Sequence, residues 1–287
     1  MKQIKRSYRI HGQRKILQHE TVLEYDRAGN VQRRQMFDAQ GKPGQMIEYE
    51  YGPDGRLART VTKTGKGRIR SRVELYYDRH GNRTEQRYFN AAGKLIAKRV
   101  WQYDAHQRLV SEEKLDKNGR PQFRKIYRYN AQGRLIEERQ TDADGRTVVI
   151  KQKEYDDRGR EIRETIRNEQ GEVQAVKQKR YHEENGLREI EWRDARGTAQ
   201  RLETFAYYPS GTLRFEKIID YFGDQVFERN FDSRGNLIKE VHFSGGREAG
   251  ELRCGYDKTG RIVRREKLSF TENTKRVETI TEFVYAD

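Results

Sequence analysis

Apolar and polar positions alternate in short runs along this chain, and one phrase cuts the runs at regular distances. In Tyr103-Asp104-Ala105-His106-Gln107-Arg108-Leu109 and Tyr129-Asn130-Ala131-Gln132-Gly133-Arg134-Leu135, a tyrosine closes one run and a leucine opens the next. Tyrosines stand at 25, 51, 77, 103, 129, 155 and 181, a constant step of 26. A glycine follows four residues later at Gly29, Gly55, Gly81, Gly133 and Gly159, and a second glycine series (41, 67, 93, 119, 145, 171, 197) lies about half a period away. A fixed internal period marks a repeat array. Two turns per unit, separated by runs of roughly nine residues, predict a β-hairpin as the unit.

Turn chemistry agrees. In Tyr25-Asp26-Arg27-Ala28-Gly29-Asn30 the Asp26 side chain is suited to accept N–H bonds at the start of a type I turn, while Gly29 takes the positive φ that closes it. Asp78 with Gly81, and Asp156 with Gly159, repeat the arrangement. The half-period turns, such as Asp116-Lys117-Asn118-Gly119 and Asp142-Ala143-Asp144-Gly145, follow the same rule. Gln107 takes the glycine position once, at an expected cost of about 1 kcal/mol if its φ is positive.

An even period keeps each strand position on one face from unit to unit. A bulged three-residue turn puts Tyr51 opposite Leu57, Tyr103 opposite Leu109, Tyr129 opposite Leu135 and Tyr208 near Leu213. Tyr77 falls in the same column. Two residues earlier on the same face come Tyr49, Leu75, Trp101, Tyr127 and Phe205, and this stripe is the expected apolar core.

Composition limits that core. The 287 residues are 33% hydrophobic and 37% charged, with a mean hydropathy of -1.17, too polar for an ordinary two-layer globule of this size. Disordered chains lack aromatic residues in fixed phase, whereas 17 Tyr, 11 Phe and 2 Trp recur here. The expected fold class is all-β: an elongated or spiralling antiparallel β-hairpin array of about twenty strands, each hairpin covering a thin apolar stripe on its neighbours. One domain spans 1–287, with an opening hairpin over 1–24 around His11-Gly12-Gln13 as a cap. Regular units cover 25–207, and divergent units with a second cap cover 208–287; beyond Tyr181 the phase loosens, at Tyr181-His182-Glu183-Glu184-Asn185-Gly186 and at Tyr208-Pro209-Ser210-Gly211. The aromatic-rich segment from Phe205 to Phe243 is where curvature and dense packing are expected.

The phrase Tyr127-Arg128-Tyr129-Asn130-Ala131-Gln132-Gly133-Arg134-Leu135 is similar to the Tyr-x-Tyr-Asp-x-x-Gly-Arg-Leu motif of YD-repeat proteins, the group that includes bacterial Rhs elements, wall-associated toxins and teneurins. The resemblance recurs with decay from Tyr25 to about Ile262. It implies a curved or spiral hairpin sheet in secreted or cell-surface proteins, sometimes a hollow shell around a toxin segment, with roles in delivery, adhesion or carbohydrate contact. The unit here is longer than is usual for such repeats and carries a second glycine turn.

Candidate chemistry is sparse. His11, His19, His80, His106, His182 and His242 occur singly and at no metal-ligand spacing, and the turn aspartates are accounted for by capping. Single Cys254 excludes a disulfide framework within the chain. No cofactor or metal site is indicated, and no apolar run has the length of a signal peptide or a transmembrane helix. The net charge of +15 is the main functional signal, because a broad cationic sheet attracts polyanions. It concentrates at Lys63, Lys66, Arg68, Arg70 and Arg72, the three arginines being expected to alternate onto one strand face. Three readings follow: a non-enzymatic scaffold contacting an anionic polysaccharide or a protein, part of a toxin-delivery shell, and a basic nucleic-acid platform.

Overall fold

The turn residues act as their chemistry requires. In the computed structural model, which describes residues 1–11, 13–183, 186–271 and 274–286, Gly29, Gly55, Gly81, Gly133 and Gly159 have φ between +76° and +90°. Gln107 is held at +61°. Asp26 Oδ1 accepts the N–H groups of Ala28 and Asn30 at 2.8 Å each, and Asp78 and Asp156 cap their turns likewise. The turn residues Gly12, Glu184 and Asn185 lie outside the described residues.

Between these turns the described residues form only strands. β1 to β8 are Lys2–His11, Arg14–Tyr25, Val31–Asp38, Pro43–Tyr51, Leu57–Lys63, Ile69–Tyr77, Arg83–Asn90 and Leu95–Tyr103. β9 to β16 are Leu109–Asp116, Pro121–Tyr129, Leu135–Thr141, Thr147–Tyr155, Glu161–Arg167, Val173–Tyr181, Leu187–Asp194 and Ala199–Tyr207. β17 to β22 are Leu213–Asp220, Gln225–Phe231, Leu237–Ser244, Arg247–Tyr256, Ile262–Thr271 and Thr274–Ala286.

Every strand pairs antiparallel with its sequence neighbours, and β1 also pairs with β22, through Lys2↔Ala286, Lys5↔Phe283 and Ser7↔Thr281. The sheet is therefore a closed ring of 22 strands rather than an open rod. Turns carrying the tyrosine phrase form one rim, here the major rim, together with both ends of the sheet. The half-period turns form the opposite, minor rim. Tyr51↔Leu57, Tyr103↔Leu109 and Tyr129↔Leu135 pair at the major rim. In the divergent part Tyr207, not Tyr208, takes this place opposite Leu213, so the step of 26 continues for one more unit.

Among the described residues no strand comes as close to another as to its two ring neighbours, and no large side chain is fully buried. The exposed area, 18333 Å², far exceeds the roughly 12,900 Å² of a compact monomer of 34.2 kDa. The ring is hollow. With strands about 4.8 Å apart and tilted about 40°, a circular section would measure roughly 45 Å across at the backbone.

Register and chirality identify the concave face. The Tyr25 N–H donates to the Met1 carbonyl at 3.1 Å, so L-residues viewed from the tyrosine side, major rim uppermost, place β1 to the right of β2 and later strands to the left. Crossing strands leftward along paired residues leads from Glu50 through Arg59, Glu74, Arg87, Lys98 and Leu115 to Pro121, from the major rim to the minor. Strands thus lean to the upper left from this side and to the upper right from the other. The right-handed twist of β-strands closes a barrel with the second lean on its outside, so the tyrosine face lines the lumen. A hollow on this face lined by Lys5, Leu23, Arg34, Tyr49, Tyr51 and Phe283, from five strands, agrees with concavity.

The stripe of Tyr49, Tyr51, Leu57, Leu75, Tyr77, Trp101, Tyr103, Leu109, Tyr127, Tyr129 and Leu135 runs along this lumen wall, and all of these residues are half-buried. The buried apolar residues are Val22, Val61, Ile190, Ile218, Val241, Leu268 and Ile280. Five of these seven lie beyond residue 187, in the less polar part of the chain. Both faces carry ion pairs at mid-strand: Lys153 with Glu161 (2.9 Å) and Glu164 (3.1 Å) inside, and Arg59 with Glu50 (2.5 Å) outside. Among the described residues neither face offers the continuous apolar band that lipid contact requires.

Candidate functional site

Arginines divide into two sets. At the major rim each phrase arginine is used structurally. Arg108 pairs with Asp104 (2.6 Å) and lies over the Tyr129 ring (4.8 Å), and Arg160 pairs with Asp156 (2.7 Å) and lies over Tyr181 (4.6 Å). Arg261 does the same with Asp257 (2.9 Å) and Tyr285 (4.7 Å). The carboxyls of Asp104 and Asp257 are held below the usual carboxylate range, chiefly by hydrogen bonds from Arg108 and Thr259 respectively. Hydroxyls of the same tyrosines bond back to the preceding unit, Tyr77 to the Leu57 carbonyl (2.9 Å) and Tyr129 to that of Leu109 (2.8 Å). Tyrosine, aspartate, glycine and arginine of the phrase thus lock one hairpin to the next.

Minor-rim cations are placed differently. Of the expected cluster, Lys63 pairs with Glu48 (2.6 Å), and Arg72 pairs with Glu74 (3.0 Å) beneath the Phe89 ring (4.2 Å). Arg68 sits in the turn rather than on the strand, so only Arg70 and Arg72 alternate on β6. Lys66, Arg68 and Arg70 are exposed, and among the described residues their side chains have no ion-pair partner. Lys94, Lys117, Arg120 and Arg124 are exposed and likewise unpaired, and half-buried Lys98 joins them on the outer wall.

A simple sequence signal marks this region: the residue after the minor-turn glycine is a cation in five consecutive units, Lys42, Arg68, Lys94, Arg120 and Arg146. All five are exposed. Neighbouring minor turns are two strands apart, so the cations recur at intervals of roughly 10 Å along an arc. The column then changes sign at Glu172 and loses charge at Thr198.

Chemistry elsewhere is occupied by structure. A major-rim hollow brings His80 near Asp78 and Asp104, but Asp78 caps its own turn, Asp104 holds Arg108, and His80 Nε2 accepts from Arg79 (2.9 Å). His242 stacks on Phe227 (4.6 Å between centroids), and burial pushes the Cys254 thiol up. No group of three or more metal-ligating side chains occurs among the described residues.

The RHS Repeat family model matches residues 129–173. That segment is an RHS (YD) repeat. The chain is similar in fold to a crystal structure of TcdB2-TccC3 without its hypervariable C-terminal region (TM-score 0.47, 14% identity, 90% of this chain and 15% of that chain). It is also similar to the Photorhabdus luminescens Tc holotoxin pore (0.33, 13%, 93% and 19%) and to a porin-like protein from Bacteroides uniformis ATCC 8492 (0.36, 11%, 99% and 95%). The array thus spans less than a fifth of the two Tc chains. No curated protein matches it.

Proposed function

We propose that this RHS array is a non-enzymatic scaffold whose outer minor rim binds an extended anionic glycan. The carrying observation is the arc from Lys42 to Arg146, whose cations are exposed while the major-rim arginines are held in ion pairs and ring contacts. An extended polyanion can follow such an arc, exchanging its counterions for several weak contacts at once. Exposed apolar residues beside it are aliphatic, Ile69 at 50% and Ile96 at 48%, rather than the aromatic platforms on which single-stranded nucleic acids stack. Retention on heparin but not on DNA at matched salt is expected, with R68E/K94E/R120E eluting much earlier. Equal retention of this variant and the parent chain sinks the reading.

Closure of the ring around a lumen favours a second reading, a container for another polypeptide. Cargo protected from protease only when the ring is intact supports that role.

A further inference from the structure

The minor rim carries an order of charge and apolar surface that polyanion binding leaves unused. Its positive arc, from Arg14 and Lys15 through Lys66 and Arg68 to Arg120, faces across the ring an arc with Asp142, Asp144, Glu169, Glu172, Asp220 and Asp224. Within the second arc the β17–β18 turn presents Phe222 at 92% exposure and Tyr221 at 50%. Asp220 Oδ1 fixes that turn by accepting the N–H groups of Phe222 (3.0 Å) and Gly223 (3.1 Å). A phenyl ring held in water by a capped turn is a contact surface without its partner.

We propose that the partner is a second copy of this chain, docked minor rim to minor rim about a twofold axis. The ring has eleven minor turns, and an axis through the β9–β10 turn pairs the others two by two. Lys66 and Arg68 of one copy then face Glu169 and Glu172 of the other, Lys94 faces Asp142 and Asp144, and Lys42 faces Asp194 while Asp38 faces Arg196. On the axis Asp116 meets Lys117 and Arg120. Phe222, between Asp220 and Asp224, falls opposite Ile16, itself 47% exposed beside Arg14 and Lys15. Four of the five turn pairs, and the turn on the axis, bring opposite charges or apolar groups together in one register, with Arg146 held by its own Asp144 (3.8 Å) beside Lys94, while the fifth pair brings Arg247 towards Lys275. Chain ends do not obstruct it, because Lys2 and Ala286 pair at the other rim.

Sedimentation velocity on the full chain tests the assembly. A dimer is expected that weakens between about 0.05 M and about 0.5 M salt and loses at least about tenfold in affinity with F222S. K66E/R68E and E169K/E172K should each abolish it, and the four changes combined in one chain should restore it. A parent chain that stays monomeric at low salt, a dimer indifferent to F222S, or absence of rescue by the combined variant overturns the proposal. Heparin retention separates this outcome from the glycan reading, since F222S leaves the cationic arc intact and should elute with the parent chain, and E169K/E172K, which extends the arc, should elute no earlier.

Discussion

Tyr77 donates its hydroxyl to the carbonyl of Leu57, 2.9 Å away and 20 residues earlier. Leu57 is the residue that pairs with the tyrosine of the preceding unit, Tyr51. Each tyrosine is therefore both the end of its own hairpin and the clasp on the one before, with equivalent bonds from Tyr51, Tyr129, Tyr155, Tyr181 and Tyr207. Removing one such hydroxyl costs about 1 kcal/mol. Y77F, Y129F and Y155F, well separated in the ring, should sum to about 3 kcal/mol in urea unfolding, and an unchanged midpoint would show that the clasp is idle.

Glycines with and without a guanidinium over the turn should respond differently to alanine. Gly119 and Gly159 both have φ near +80°, but a Cβ at Gly119 meets nothing within 4 Å whereas one at Gly159 meets the Arg134 guanidinium at 2.4 Å. Both pay about 1–2 kcal/mol for the left-handed backbone. G159A should also dislodge Arg134 from the Tyr155 ring and lose roughly 0.5–1 kcal/mol more. Conversely, Q107G should stabilise by about 1 kcal/mol, because Gln107 holds a positive φ that glycine adopts without strain. Chemical denaturation of the three variants checks the order.

Much of the fold is legible in the residues themselves. The 26-residue step and the Asp-x-x-Gly turns are enough to dictate hairpins, because turn dihedrals depend on neighbouring residues. Tyr207 is hidden by its neighbour Tyr208, whose hydroxyl reaches forward to the Phe231 carbonyl (2.8 Å) instead of back. Closure is not legible, since it depends on β1 meeting β22 after the twist of twenty intervening strands has accumulated, and neither strand carries the phrase at the seam. The cation column after the minor-turn glycines is present in the sequence, but the denser local run from Lys66 to Arg72 masks it. Which cations are free depends on cross-strand carboxylates such as Glu48, whose register the composition does not give.

Acid should unfasten the turns. The carboxyls of Asp104, Asp232 and Asp257 lie below the ordinary range, held there chiefly by hydrogen bonds from Arg108, Asn236 and Thr259. A folded-state pKa below the unfolded value, near 3.9, gives stability that is complete above about pH 5 and lost as pH falls through the folded pKa. Stability of the parent chain should therefore decline steadily below about pH 4. The triple variant D104N/D232N/D257N keeps acceptors for the turn N–H groups and should show a shallower acid slope in pH-dependent urea titrations.

Arginine function should separate by rim. R108A and R160A remove ion pairs and ring contacts that join units, so thermal midpoints should fall while heparin elution changes little. R68A and R120A, whose side chains are exposed and unpaired, should leave the midpoint within experimental scatter and shift elution to lower salt. The reverse pattern in a paired thermal and chromatographic assay would refute the division of the arginines into two sets.

The seam between first and last strands offers a direct test of closure. Ser7 and Thr281 are register partners, with Oγ and Oγ1 3.4 Å apart on the lumen wall. Cysteines at both positions, with Cys254 changed to serine, should form a disulfide across β1 and β22 without moving either strand. The bond would close almost the entire chain into one loop, and constraint of the unfolded state predicts up to about 5 kcal/mol of added stability. Non-reducing electrophoresis and urea unfolding with and without reductant read the result. An open sheet would hold the two cysteines apart, leaving free thiols and a reductant-independent midpoint.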